Sequence, residues 1–245
     1  MASATALAIA DLANGTPIAN FNWSARGVAP LAYIRGMAVS FARTYCKMNA
    51  NRDAASETAV AADPNDAATD ALAFFSTEFS NLSMDNSSSG ADVLRHVFVL
   101  LTGLGMRESS GQFCTGRDPG ANNTAADTAE AGLFQTSFNS AGSHFLLPAM
   151  FQQYKGLTDF QDIFSVGVAC KPFDAQNWGA GDGADFQDLT KKCPAFAVEY
   201  AALAVRKTRQ LWGPINAKTL ELKQEADDLF RSVSNFVDTN GIAEV

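Results

Sequence analysis

Gly105-Met106-Arg107-Glu108-Ser109-Ser110-Gly111, followed by Thr128-Ala129-Glu130-Ala131-Gly132-Leu133-Phe134-Gln135-Thr136-Ser137-Phe138-Asn139-Ser140, is the stretch around which the chain is organised. It leaves an almost unbroken apolar run, Val93 to Met106, interrupted only by Arg95, His96, Thr102 and two glycines. A segment apolar on nearly every side belongs in the centre of a domain, and its length favours helix over strand despite its valines. Gly103 and Gly105 weaken the last turn. Beyond it the chain passes Glu108, crosses a loop of small and polar residues, and enters a second element at Gly132.

Outward from this stretch, helical periodicity dominates. Residues 3–13 are Ala-rich and predict a short helix, which Asn14-Gly15-Thr16-Pro17 ends, because Asn-Gly is turn chemistry and a residue before proline disfavours the helical region. Leu31, Ile34, Met37, Ala38, Phe41, Ala42 and Tyr45 recur at three- and four-residue intervals and make one helical face, with Pro30 in its first turn. Residues 49–66 read as a surface loop or a poor helix. Asp63-Pro64-Asn65-Asp66 starts a helix carrying Ala71, Leu72, Phe75 and Phe79, and Asp92 caps the apolar helix. Ser143–Tyr154 is helical, Phe160–Val168 is a short apolar segment, and 171–184 is a Gly-rich loop. Asp185 to about Arg209 is helical and divided at Pro194, and residues 217–238 form an amphipathic closing helix. Strand signals are few. The expected fold is mainly α and a single domain, 1–245, with any small β-hairpin falling within residues 112–131.

The chain has 245 residues, 47 % hydrophobic and 18 % charged, a balance that supports a sizeable core and argues against disorder. Its net charge of −8 excludes a general affinity for nucleic acid or anionic membrane and suits a neutral or cationic polymer better. The longest apolar run is too short for a bilayer, which needs ~20 residues. The N-terminus lacks the basic and strongly apolar regions of a signal peptide. Cys46, Cys114, Cys170 and Cys193 permit three disulfide connectivities or none; Cys46 with Cys114 and Cys170 with Cys193 are preferred, and four buried free thiols are the alternative. No CxxC spacing occurs and only His96 and His144 could join the cysteines, which argues against zinc. Gly103-Leu104-Gly105 is not a dinucleotide fingerprint and no P-loop is present, so no cofactor is expected. A monomer is expected.

Chemistry concentrates in the carboxylates. Cleaving a glycosidic bond requires a proton on the leaving oxygen while positive charge develops on the sugar, and two carboxyl groups on opposite sides of the bond supply this. Glu108 suits the proton donor, because a helix C-terminus and an apolar wall both raise a carboxyl pKa. Arg107 would counter this, but helical neighbours point about 100° apart and it is expected to face elsewhere. Ser109 and Ser110 are candidates to cap or orient Glu108. Neither is a nucleophile, since no Gly-x-Ser-x-Gly elbow surrounds them. Gln135 and Asn139 are placed to bond sugar hydroxyls or to support the turn. Trp178, in a loop, is either a sugar-stacking platform or a core residue, and Phe113 and Phe138 are candidate cleft walls.

Glu108-Ser109-Ser110-Gly111 followed by Ala131-Gly132-Leu133-Phe134-Gln135 resembles the lysozyme-like superfamily of glycan-cleaving enzymes, which includes goose- and chicken-type lysozymes, lytic transglycosylases and chitosanases. In the first and third of these the catalytic Glu opens a Glu-Ser motif and a Gly-Leu-Met-Gln stretch follows; here Phe134 stands in place of the Met. The chicken-type pattern is similar, with an acidic residue two places before the Gly of its Gly-Ile-Leu-Gln-Ile-Asn-Ser. The resemblance covers about residues 93–140 of 245. It implies a helical domain with a cleft, a small hairpin carrying the second carboxylate, and cleavage of β-1,4-linked amino sugars in chitin, chitosan or peptidoglycan. Glu108 would be the general acid and Glu130 the base or nucleophile. Asp127, at a spacing similar to that of chitosanases, ranks behind Glu130, and Asp118 third. Asn177-Trp178-Gly179 is faintly similar to the Tyr-Asn-Ala-Gly motif of transglycosylases. A transglycosylase and an inactive glycan-binding module remain alternatives, and the setting is expected to be secreted or periplasmic.

Overall fold

In chain order the elements are helix α1 (Ala4–Asp11), strands β1 (Asn22–Trp23) and β2 (Gly27–Val28), and helices α2 (Leu31–Asn49), α3 (Asp53–Thr58), α4 (Ala71–Phe74), α5 (Ser76–Asn81), α6 (Ala91–Ser109), α7 (Leu146–Tyr154), α8 (Gln161–Phe164), α9 (Asp182–Lys192), α10 (Pro194–Lys207), α11 (Gly213–Asn216) and α12 (Gln224–Thr239). The structure is a computed structural model, described for residues 2–118, 120–121 and 125–245. The fold is mainly helical with one small antiparallel sheet, in which Asn22 pairs with Val28 and Trp23 with Gly27.

The apolar run becomes α6, whose residues from Val93 to Met106 are all buried, and α2, α10 and α12 pack around it. Phe41 of α2, Phe98 of α6 and Phe230 of α12 meet with ring centroids 5.1–5.6 Å apart. Each such side chain contributes about 1.5–3 kcal/mol by leaving water. Gly105 does more than weaken a turn: a Cβ there would lie 2.4 Å from the Tyr33 hydroxyl, which donates to the Thr102 carbonyl at 2.8 Å. The glycine lets α2 approach the end of α6. A second aromatic group, Phe151, Phe186, Phe196 and Tyr200, joins α7, α9 and α10.

Buried ion pairs set the remaining helices. Arg206 of α10 holds Asp70 through two bonds of 2.8 Å and donates to the Thr58 and Val60 carbonyls, fixing the segment between α3 and α4. Arg95 of α6 holds Asp227 of α12 at 2.9 Å. Lys47 of α2 meets Glu199 of α10 at 2.7 Å.

Several sequence expectations are corrected. Of the two readings of residues 49–66 the short helix holds, as α3, and only the surface loop is set aside, since Ala55 and Thr58 are buried. Asp92 is not the cap of α6; Gly90 holds that position, and Asp92 in the first turn pairs with Arg95 at 2.7 Å. The hairpin forms at residues 22–28, where Ser24, Ala25 and Arg26 make the turn and Ala25 and the first residue of β2, Gly27, have positive φ. Among the described residues of 112–131 no strand forms, and part of that expectation, at residues 119 and 122–124, lies outside the described residues. The disulfide is Cys114–Cys170, with Cα atoms 5.9 Å apart, so neither preferred pair exists. Cys46 faces inward from α2 and donates to the Ile242 carbonyl, while Cys193 is buried where α9 meets α10. Both stay free, which spacing along the chain does not reveal.

Candidate active site

The last turn of α6 carries Glu108 half-buried at its end, and the chain leaves through Ser110 in the left-handed region and Gly111. Opposite, the Ala126–Thr128 turn leads into Glu130, also half-buried, and then into a tight turn. Ala131 and Thr136 bond each other through both backbone pairs, at 3.0 and 3.2 Å. Between them Gly132 has φ +78°, which a glycine adopts without strain, and a Cβ there would lie 2.8 Å from Thr190. The turn is anchored by Gly132 N–H to the Thr115 carbonyl at 2.8 Å and by the Trp212 indole N–H to the Phe134 carbonyl at 2.8 Å.

Burial raises the Glu108 carboxyl to a pKa of about 7, helped by the charge of Glu130 and opposed by Arg26 and Arg107. Glu130 is pushed above its ordinary range by burial and by the charge of Asp118. Burial and the neighbouring Glu130 charge together let Glu108 keep its proton near neutrality. Asp118 lies exposed beside the pair, its carboxylate accepting from Gly120 N–H at 2.8 Å. A cleft of about 130 Å³ opens next to Glu130, lined also by Gln135, Asn139 and Leu211.

The other sequence candidates divide. Asp127 is exposed and turned toward the start of α9, where a Cβ on Gly183 would meet its carboxylate at 2.5 Å, and it exerts no effect on Glu108. Gln135 donates to the Gly132 carbonyl at 3.0 Å, so it braces the turn while its side chain borders the cleft. Asn139 is exposed at the cleft and accepts from Ser137. Ser109 is buried and donates back to Gly105 at 3.0 Å, which secures the helix end and leaves Glu108 untouched. Arg107 does not pair with Glu108; it reaches toward the Ser24 carbonyl. Trp178 is 37 % exposed, with the Arg117 guanidinium stacked 4.1 Å from its ring. Phe113 is a core residue, and Phe138, partly buried, packs against the core on Phe151 and Phe186.

Sequence reasoning missed the framework of the loops. The Cys114–Cys170 bond ties the segment after Glu108 to the loop before Trp178. Gly116 N–H donates to Asp174, and buried Lys191 donates to the Asp174 and Gln176 carbonyls at 2.7 and 2.8 Å. Gln187 accepts from Trp178 N–H at 2.8 Å and donates to the Ala126 and Trp178 carbonyls. The only sequence signal for these was polar residues on the inner face of an otherwise ordinary helix. The hairpin tip at Arg26 was missed too, for want of any alternating strand pattern.

No metal-binding cluster of His, Cys, Asp and Glu occurs among the described residues, and no helix among them is long and apolar enough to cross a membrane. Compared with protein-family models, curated proteins and solved structures, the chain matches none.

Proposed function

We propose that the protein is a glycoside hydrolase of lysozyme-like fold, a single domain cleaving β-1,4 bonds in an amino-sugar polymer such as chitin, chitosan or peptidoglycan. The observation that carries this is a pair of half-buried carboxyls close enough to act on each other: Glu108 at the end of α6, held near pKa 7, and Glu130 just before the tight turn. Two carboxyls pushed apart in pKa are what acid and base roles require. Glu108 protonates the leaving oxygen, and Glu130 stabilises the sugar cation, as nucleophile or through an activated water. Asn139 and Gln135 offer hydrogen bonds along the cleft, and the free face of Trp178 stacks on a sugar ring. A secreted or periplasmic setting agrees with the disulfide, and we take the active form to be a monomer.

A lytic transglycosylase is the second reading: burial, and then the charge of Asp118, hinder ionisation of Glu130, and a transglycosylase can act with Glu108 alone. The test is incubation of wild type and Glu108→Gln with peptidoglycan, chitin oligomers and chitosan oligomers, with products followed by mass spectrometry. Hydrolysed products abolished by the substitution support the proposal, and products lacking one water identify the transglycosylase. Binding without turnover leaves a glycan-binding module.

A further inference from the structure

A second set of charges lies close enough to Glu108 to act on it. Arg26, at the exposed tip of the β1–β2 hairpin, donates through Nη2 to the Arg107 carbonyl, which places its guanidinium one residue from Glu108 at the end of α6. Arg107 returns toward the Ser24 carbonyl at 3.5 Å, and Ser24 N–H donates to Glu221, itself paired with Lys223 at 3.1 Å. The hairpin tip and the helix end are therefore latched together through main-chain carbonyls and not through carboxylates.

Among the described residues neither arginine forms an ion pair, Glu108 included, although acids outnumber bases by 26 to 18 in this chain. Elsewhere the cations are mostly spoken for, as Arg43, Arg95, Arg206 and Lys207 are by Asp159, Asp227, Asp70 and Glu57. The Nε of Arg107 is buried without any acceptor. Two unpaired guanidiniums beside a proton donor also work against it, since both lower the Glu108 pKa. A latch alone needs no charge, because a neutral amide donor can reach a carbonyl as well. An arginine fork is, however, the side chain best matched to a carboxylate.

We propose that Arg26, positioned by Arg107 at the end of α6, recognises an acidic substituent of the glycan: a carboxylate on a sugar next to the bond that Glu108 protonates. This rests on the reading of Glu108 as the acid of a glycan-cleaving cleft. It runs against the net charge of −8, which by itself favours a neutral or cationic polymer. The local pair outweighs that surface, because screening confines exposed charges to about 8–10 Å at physiological salt.

The test uses amino-sugar oligomers that carry carboxylates and the same oligomers after reduction of each carboxylate to the alcohol. Affinities are measured by calorimetry on the Glu108→Gln chain, which cannot consume them, and cleavage is measured in parallel on the wild type. The carboxylate form should bind about tenfold more tightly than the reduced form at low salt, a gap typical of a charge-assisted hydrogen bond at a partly exposed site. Adding Arg26→Gln should bring the affinity for the carboxylate form down to that for the reduced form, and Arg26→Lys should retain part of the gap. Equal affinities before that substitution overturn the proposal. So does an equal loss on both oligomers in Arg26→Gln, which marks a latch and nothing more. Wild type that binds both and cleaves neither removes the catalytic reading of Glu108, while the gap between the two oligomers still decides Arg26.

Discussion

Two carboxylates, Asp227 buried and Glu108 half-buried, lie near opposite ends of α6 and meet opposite fates. Asp227 of α12 is almost wholly buried against the first half of that helix, and burial alone would raise its pKa. Arg231 at 2.8 Å and Arg95 at 2.9 Å outweigh the burial, and the carboxyl stays below its ordinary range. Glu108 is less buried, yet burial lifts its pKa to about 7 with help from the charge of Glu130, because the two arginines nearby do not pair with it. Burial therefore does not by itself make an acid. What matters is whether a base is within bonding distance, and α6 supplies one for Asp227 at Arg95 and withholds one at Glu108. The first arrangement holds α6 to α12. The second stores a proton at neutral pH at some cost in stability.

The largest effect tests the Glu108 end. Glu108→Gln should lower kcat by about 10²–10⁴-fold, the usual share of a general acid, on whichever polymer the wild type cleaves. Wild-type activity should fall as pH rises through about 7, where Glu108 ionises, and on the acid side as Glu130 takes up its proton above the ordinary glutamate range. In whatever activity survives Glu130→Gln, itself strongly reduced, the basic limb should move to lower pH, since a neighbouring charge that helps hold the Glu108 proton has gone. A basic limb that stays in place would separate the two carboxyls and dissolve the pair.

The same comparison predicts stability at the other end. Asp227→Ala leaves Arg95 buried without its carboxylate partner on α12 and should cost about 3–5 kcal/mol in urea unfolding. A loss below about 1 kcal/mol would mean that Arg95 finds Asp92 or water sufficient.

How much of this was legible in the sequence depends on the kind of force involved. The helices were, because an apolar face at three- and four-residue spacing is a one-dimensional signal. Leu31 to Tyr45 and Val93 to Met106 both became central helices. Glu108 at the end of α6 was legible for the same reason, since its setting is the terminus of its own element. The partner for Cys114 was not. It lies 56 residues away, and a closure entropy that grows only slowly with loop length gives spacing little power to choose. The hairpin at residues 22–28 has two residues per strand and is held by tertiary bonds from Arg26 and Ser24, so no alternation announces it. Asp127 ranked above Asp118 on spacing, yet it is Asp118 whose charge reaches Glu130. Which of three acids in one loop faces inward is decided by the Thr115–Gly132 bond and by the contact of Asp127 with α9.

A smaller effect sharpens the contrast by reversing its sign. The folded-state pKa of Glu108 lies above its unfolded value, so its favourable contribution is complete below the ordinary glutamate range and is lost as pH rises through about 7. Glu108→Gln should therefore match wild type at pH 4 and exceed it at pH 8, by about 1–3 kcal/mol after allowance for partial exposure. Asp227 behaves oppositely: its pKa is lowered, so its stabilisation is present near neutrality and disappears only as pH falls below the ordinary aspartate range. Denaturation midpoints of the two variants across pH 4–8 should diverge from wild type in opposite directions. Equal midpoints for wild type and Glu108→Gln at pH 8 would show that solvent reaches the carboxyl freely.

The smallest expected change is at Asp127. Its carboxylate is exposed, it points toward the first turn of α9, and it does not act on Glu108. A negative charge at a helix N-terminus is worth about 0.3–1 kcal/mol at the surface, so Asp127→Asn should lower stability by no more than that. Its rate should stay within about a factor of two of wild type, the range of substitutions that touch no special feature. Asp118→Asn provides the contrast within the same loop: removing its charge lets Glu130 ionise more easily, so the acid limb of the pH profile moves to lower pH. If instead Asp127→Asn abolishes cleavage while Glu130→Gln leaves it intact, the second carboxylate is Asp127. The loop then rearranges on binding to bring it away from α9, and the comparison must be redrawn around that movement.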